Sequence, residues 1–90
     1  GPDRIVRGAR ALPKGTRTYN KTGSTSRLCG DMGIVLVRDG AGLEYPYTVI
    51  GVIEKSTRAK NYTQWIRSRG KVIGEVSGLV YAGIAKRHGI

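Results

Sequence analysis

Residues 33–54 read GIVLVRDGAGLEYPYTVIGVIE, two apolar runs on either side of a glycine-rich turn. The first run predicts a strand over residues 33–38, and the second predicts a strand over residues 45–54. Asp39-Gly40 is a typical hairpin signal, so the two strands are expected to pair antiparallel. Neither run alternates between apolar and polar residues, which predicts that both faces of these strands need to be covered.

A further strand is predicted before this hairpin, over residues 16–22, because Tyr19 and the flanking threonines favour extended structure. Residues 24–31 are polar and are either a continuation of that strand or a loop. A long helix is predicted after the hairpin, with Asn61 as its N-cap, Gln64 three residues on, Arg87 at its end and Gly89 as C-cap. The predicted fold class is therefore α+β: a three-stranded antiparallel meander packed against a long C-terminal helix.

The predicted helix carries two repeating patterns, one of apolar residues and one of glycines. Its apolar residues form one broad stripe, expected to cover the sheet: Trp65, Ile66, Val72, Ile73, Val76, Leu79, Val80 and Ile84. Gly70, Gly74 and Gly78 recur every four residues and are expected to point away from that stripe. Each glycine costs about 1 kcal/mol relative to alanine in a helix interior. Small residues allow another helix to approach closely. The glycine face of the helix is therefore expected to pack against a helix outside this sequence, just as the strands are expected to need a second covering layer.

The composition limits the classes of function. The chain has 90 residues and a formal net charge of +10, which favours anionic partners. We divide it into an irregular basic lead-in, residues 1–15, and one small domain, residues 16–90. A single cysteine, Cys29, excludes an internal disulfide and any multi-cysteine metal site. The only histidine, His88, is expected near the helix C-terminus as a partner of the helix dipole. No metal or other cofactor is expected.

One short motif points to chemistry. Lys21-Thr22-Gly23 lies on the first predicted strand and is followed by Ser24-Thr25. Lys-Thr-Gly resembles the third signature motif of serine β-lactamases and penicillin-binding proteins, which include the transpeptidases. The following order of strand, turn, strand and terminal helix is similar to the last third of their catalytic domain. The resemblance covers residues 16–87 and implies a partial β-lactamase-like fold.

The resemblance implies a role for each residue of the motif. Lys21 would attract the carboxylate of a β-lactam or peptide substrate, and the Thr22 hydroxyl would help to bind it. Gly23 would keep the strand edge open to the ligand. The backbone N–H of Ser24 would be an oxyanion-hole donor, and the side chain of Ser24 or Thr25 would contact the carboxylate. The family also implies a periplasmic or other extracytoplasmic location.

The chain departs from the family in lacking a nucleophile. The family's Ser-x-x-Lys and Ser-x-Asn motifs lie upstream of Lys-Thr-Gly, and only twenty residues precede Lys21. The sequence Ser68-Arg69-Gly70-Lys71 follows the motif, within the predicted helix, and we interpret it as a coincidence. The chain is thus expected to be inactive alone. It would act as a β-lactamase, D-Ala-D-Ala peptidase or esterase when completed by a missing N-terminal part or a complementary chain.

Two other functions remain open. The chain could be a small basic nucleic-acid-binding module, because its sixteen lysines and arginines suit phosphate contacts and several aromatic residues suit base stacking: Tyr19, Tyr45, Tyr47, Tyr62 and Trp65. No recognised nucleic-acid motif is present, and the only concentration of cations is in and next to the lead-in: Arg4, Arg7, Arg10, Lys14 and Arg17. The uncovered apolar faces could also be buried by self-association.

Overall fold

The structure is a computed structural model that describes Arg4, Leu12, Pro13 and residues 16–90. Its elements in chain order are three strands and a helix: β1 (Arg17–Ser24), β2 (Leu28–Arg38), β3 (Glu44–Glu54) and α1 (Tyr62–Arg87). The strands form one antiparallel sheet in the order β1-β2-β3, and α1 contacts β2 and β3. The predicted α+β class, with a meander followed by a long helix, is confirmed.

The first hairpin is longer than the sequence predicted. β1 continues to Ser24, and β2 begins at Leu28, five residues before the predicted start. The two strands are joined by a tight turn in which the Thr25 N–H donates to the Leu28 carbonyl at 2.7 Å. The start of β2 was not recognised because it is small and polar: Cys29, Gly30 and Asp31 are buried and paired all the same.

The second hairpin agrees with its predicted position. Asp39 organises the turn, since its Oδ1 accepts the backbone N–H groups of Ala41 and Leu43, each at 2.9 Å. Gly42 has a φ of 86°, a left-handed backbone conformation that favours glycine. The Asp39 N–H then donates to the Leu43 carbonyl at 2.9 Å, which closes the loop before β3.

The two faces of the sheet have different environments. The covered face packs against α1, and its residues Cys29, Val35 and Val37 are fully buried. The opposite face, which we call the open face, presents large side chains that are 44–63% exposed: Tyr19, Met32, Ile34, Ile50 and Val52. The expectation that both faces are apolar is therefore confirmed, and α1 covers only one of them.

The ends of α1 lie where the sequence predicted them. The Asn61 side chain accepts the Gln64 N–H at 3.0 Å, which makes it the N-cap. The helix ends at Arg87, and Gly89 follows with a φ of 71°. The His88 ring stacks on Tyr45, with ring centroids 4.6 Å apart and planes 14° from parallel. This stacking joins the helix end to β3.

The predicted orientation of α1 is wrong. Gly70 and Gly74 were expected to point away from the sheet, but both are on the buried side of the helix with Ile73. Three of the eight residues of the apolar stripe are exposed instead: Val72, Val76 and Leu79. The physical reason is close approach, because a Cβ at Gly51 of β3 would lie 3.1 Å from Ile73 Cγ2. Gly70 is buried for a different reason, because the Arg4 side chain packs against it.

Candidate functional site

The Lys-Thr-Gly motif lies on the edge of the sheet. Lys21, Thr22 and Gly23 belong to β1, which pairs with β2 on one side. Within residues 16–90 no strand pairs with the other side of β1. An edge strand has backbone N–H and C=O groups that are available to a ligand, so the motif is in a position where such groups are accessible.

The hydrogen-bond pattern of the ladder identifies which groups face this free edge. Thr25 and Leu28 exchange two backbone hydrogen bonds, of 2.7 and 3.4 Å. Hydrogen-bonded and non-hydrogen-bonded pairs alternate in an antiparallel ladder, so the next pair, Ser24 with Cys29, is non-hydrogen-bonded. The N–H and C=O of Ser24 are therefore directed away from β2, and the same alternation applies to Thr22.

The Lys21 ammonium is located at this edge. Its Nζ donates to the Thr22 carbonyl at 2.7 Å, and the side chain is exposed. Gly23 lies next to it with no atom within 4 Å of the position that a Cβ would occupy. The motif thus combines an exposed positive charge, outward-facing backbone groups and open space above Gly23.

The hydroxyls of Ser24 and Thr25 are engaged in the protein itself. Ser24 Oγ lies 2.7 Å from the Tyr62 hydroxyl at the start of α1. Thr25 Oγ1 accepts the Arg27 N–H at 3.1 Å within the turn. Neither hydroxyl is therefore directed to a ligand at the free edge, and the backbone N–H of Ser24 is the group that this geometry leaves available. Thr22 is half-buried on the covered face.

The second Ser-x-x-Lys sequence lies on α1. Ser68 Oγ donates to the Trp65 carbonyl at 3.2 Å, and the Arg69 Nε donates to Ser68 at 3.3 Å. Lys71 is exposed. Because the Ser68 hydroxyl proton is held by the helix backbone, the geometry favours the interpretation that this sequence is a coincidence.

A buried polar cluster was missed by the sequence reasoning. Asp31 is 2% exposed and accepts hydrogen bonds from Asn20 Nδ2 at 3.0 Å and from the Arg4 backbone N–H at 3.1 Å. The Arg4 side chain is buried beside Gly70 and donates to the Gly30 carbonyl at 3.1 Å. Asp31 lies just before the predicted strand 33–38 and was the available signal, since a buried carboxylate requires hydrogen-bond partners.

The contacts of Arg4 and Arg17 bear on the cations that the sequence offered for phosphate contacts. Arg4 is buried, and Arg17 forms an ion pair with Glu44 at 2.8 Å. Two of the five cations proposed for phosphate contacts are therefore bound within the protein. The other three, Arg7, Arg10 and Lys14, lie outside the described residues.

Comparison with protein-family models, with curated proteins and with solved structures gives no significant match to this chain. Among the described residues there is no group of three His, Cys, Asp or Glu side chains suited to a metal ion. The helix in this part of the chain is not long and apolar enough to span a membrane.

Proposed function

We propose that this chain is the C-terminal portion of a serine hydrolase of the β-lactamase and penicillin-binding-protein type. It would contribute the Lys-Thr-Gly strand to an active site whose Ser-x-x-Lys nucleophile belongs to another part of the protein or to a complementary chain. One observation carries the proposal: the motif lies on the edge strand β1, with the Ser24 N–H directed to the free edge.

The proposed chemistry follows from the groups at that edge. A backbone N–H that is fixed in a sheet stabilises a developing oxyanion by about 3 kcal/mol, because no reorganisation is needed during the reaction. Lys21 would supply the positive charge that attracts a substrate carboxylate. Its ammonium donates to the neutral Thr22 carbonyl. A substrate carboxylate in that place would form a stronger, charge-assisted hydrogen bond.

The open face supports the second half of the proposal, that a covering part is missing from this chain. Met32, Ile34, Ile50 and Val52 form a continuous apolar surface on β2 and β3, because Met32 pairs with Ile50 in the register. Such a surface is typical of an interface. Lys21 and Gly23 lie on the same face of β1, so a layer placed there would border the motif.

Labelling with a fluorescent penicillin tests the proposal. We expect the isolated chain to remain unlabelled and the gene product that includes the segment before Gly1 to be acylated. In that longer protein, Lys21→Ala should slow acylation at least about tenfold. The matched control is Lys71→Ala, an exposed lysine on α1, which should leave the rate unchanged. Covalent labelling of the isolated chain, or equal rates for the two variants, would overturn the proposal.

A further inference from the structure

A groove lies between the loop after β3, residues 55–61, and the first two turns of α1. Its volume is about 470 Å³. Four of the side chains that line it carry a positive charge, and an indole forms part of the wall: Lys55, Arg58, Lys60, Arg69 and Trp65. None of these residues belongs to the Lys-Thr-Gly motif, so the groove is a separate feature of the surface.

The positive charge of the groove is not balanced within the part of the chain that the structure describes. The ion pairs found there both involve Glu44, with Arg17 and Arg38. The first turn of α1 has no acidic residue, and a helix N-terminus itself contributes partial positive charge. Cations that converge on one concave surface without carboxylate partners create a strongly positive potential, which concentrates anions.

Trp65 gives the groove a fixed wall. Its Nε1 donates to the Thr25 carbonyl at 3.1 Å, which ties the indole to the turn between β1 and β2. Lys55 Nζ lies 5.3 Å from the centre of the ring, at cation–π distance. The Lys55 ammonium is therefore held at the groove by the indole, so that less freedom is lost when an anion binds.

We propose that this groove binds a compact polyphosphate anion, of the size of a diphosphate or triphosphate. Its volume is in the range of small-molecule sites. Two arginines offer the planar fork that binds phosphate oxygens in pairs, and two lysines add point charges. Four cations match the charge of a di- or triphosphate, whereas a single carboxylate would leave most of them unpaired.

The fluorescence of Trp65 reports on binding directly, because it is the only tryptophan of the chain. We expect titration with tripolyphosphate to change the emission in a saturable manner, with one anion bound per chain and weaker binding at higher salt. The double variant Arg58→Gln/Lys60→Gln should weaken binding at least about tenfold. Circular dichroism of each variant checks that the fold is retained.

The matched control removes the same charge elsewhere. Lys86→Gln/Arg87→Gln acts on exposed residues at the far end of α1 and should change affinity by less than about twofold. Equal weakening by the two double variants would show attraction to net charge alone and would overturn the proposal. It would also be overturned by no fluorescence change at low salt, or by binding only of single-stranded oligonucleotides with affinity that grows with length, which would indicate a nucleic-acid interface instead.

Discussion

The two faces of the sheet are built from the same kind of residue, yet they are in opposite environments. Val35 and Val37 are completely buried beneath α1, whereas their neighbours on β2, Met32 and Ile34, are about half exposed. The difference is not one of composition, because both sets are large and apolar. It arises because the described part of the chain contains one helix, and that helix covers one face.

The comparison also has an energetic meaning. Burial of apolar surface contributes about 25 cal/mol per Å², and the surface that is still exposed on the open face does not contribute. Ile50 remains 63% exposed. A covering layer would therefore bind with a substantial driving force, whether it is the remainder of the proposed hydrolase or a second copy of the chain.

The largest expected effect is at the point where β1 and β2 are closest. A Cβ at Gly33 would lie 2.6 Å from the Tyr19 carbonyl oxygen and 2.8 Å from Asn20 Cβ. These are backbone or near-backbone atoms of a paired strand and have little room to move, so Gly33→Ala should lower the free energy of unfolding by about 3 kcal/mol. Urea denaturation followed by circular dichroism measures this change.

Gly23→Ala on the same hairpin is the control, since its added Cβ meets open space. Its free energy of unfolding should stay within about 0.5 kcal/mol of the original. Similar losses for the two variants would show that β1 and β2 do not pair in the described register.

The next effect compares the two faces directly with identical chemistry. Val35→Ala removes two methyl groups from a fully buried position and should cost about 2 kcal/mol of unfolding free energy. Val52→Ala makes the same change on the open face, where the side chain is 53% exposed, and should cost less than about 0.5 kcal/mol. Thermal and urea unfolding of both variants in dilute solution provide the measurement.

This pair of variants also tests whether the open face is an interface. Once a covering layer is present, Val52→Ala should become costly and should weaken association. A Val52→Ala cost as large as that of Val35→Ala in the dilute monomer would contradict the open face as described.

The smallest effect concerns Tyr47 on the covered face. Its hydroxyl is buried and has no hydrogen-bond partner among the residues that the structure describes. Burial, with a smaller contribution from Tyr81, raises its pKa from 10.0 to about 12. Tyr47→Phe should therefore be neutral or stabilise the fold by up to about 1 kcal/mol at neutral pH.

The raised pKa of Tyr47 also predicts a pH dependence. The unfolded chain loses the Tyr47 proton near pH 10, while the folded chain keeps it until about pH 12. Stability is therefore fully present below pH 10 and falls as the pH rises through this window. Tyr47→Phe should reduce the loss between about pH 10 and about pH 12. An unchanged loss in Tyr47→Phe would contradict the burial of this hydroxyl.

Local signals in the sequence predicted much of the fold. The apolar runs and Asp39-Gly40 located the second hairpin, and Asn61 located the start of α1. Each of these signals acts within a few residues, through backbone preference or side-chain capping. The early start of β2 was missed because Cys29, Gly30 and Asp31 carry no strand propensity, and their pairing is imposed by β1 and β3.

The candidate site was likewise predictable only in part. Lys21-Thr22-Gly23 was visible as a motif, and its place on a strand could be predicted. That the strand is an edge, that the Ser24 N–H faces outward and that the Ser24 hydroxyl is bound to Tyr62 depend on ladder register and helix placement. The groove beside Trp65 was also invisible in the sequence, because residues 55–61 meet Arg69 only after α1 has formed.

Strand, turn and cap preferences are local, so the identity and order of the elements follow from the amino-acid sequence. Which side of each element is buried depends instead on tertiary packing. In α1, Ile73 packs against Gly51 of β3, and Gly70 is buried because the Arg4 side chain lies against it. The orientation of α1 and the contrast between the two faces therefore depend on packing distances, which one-dimensional periodicity does not contain.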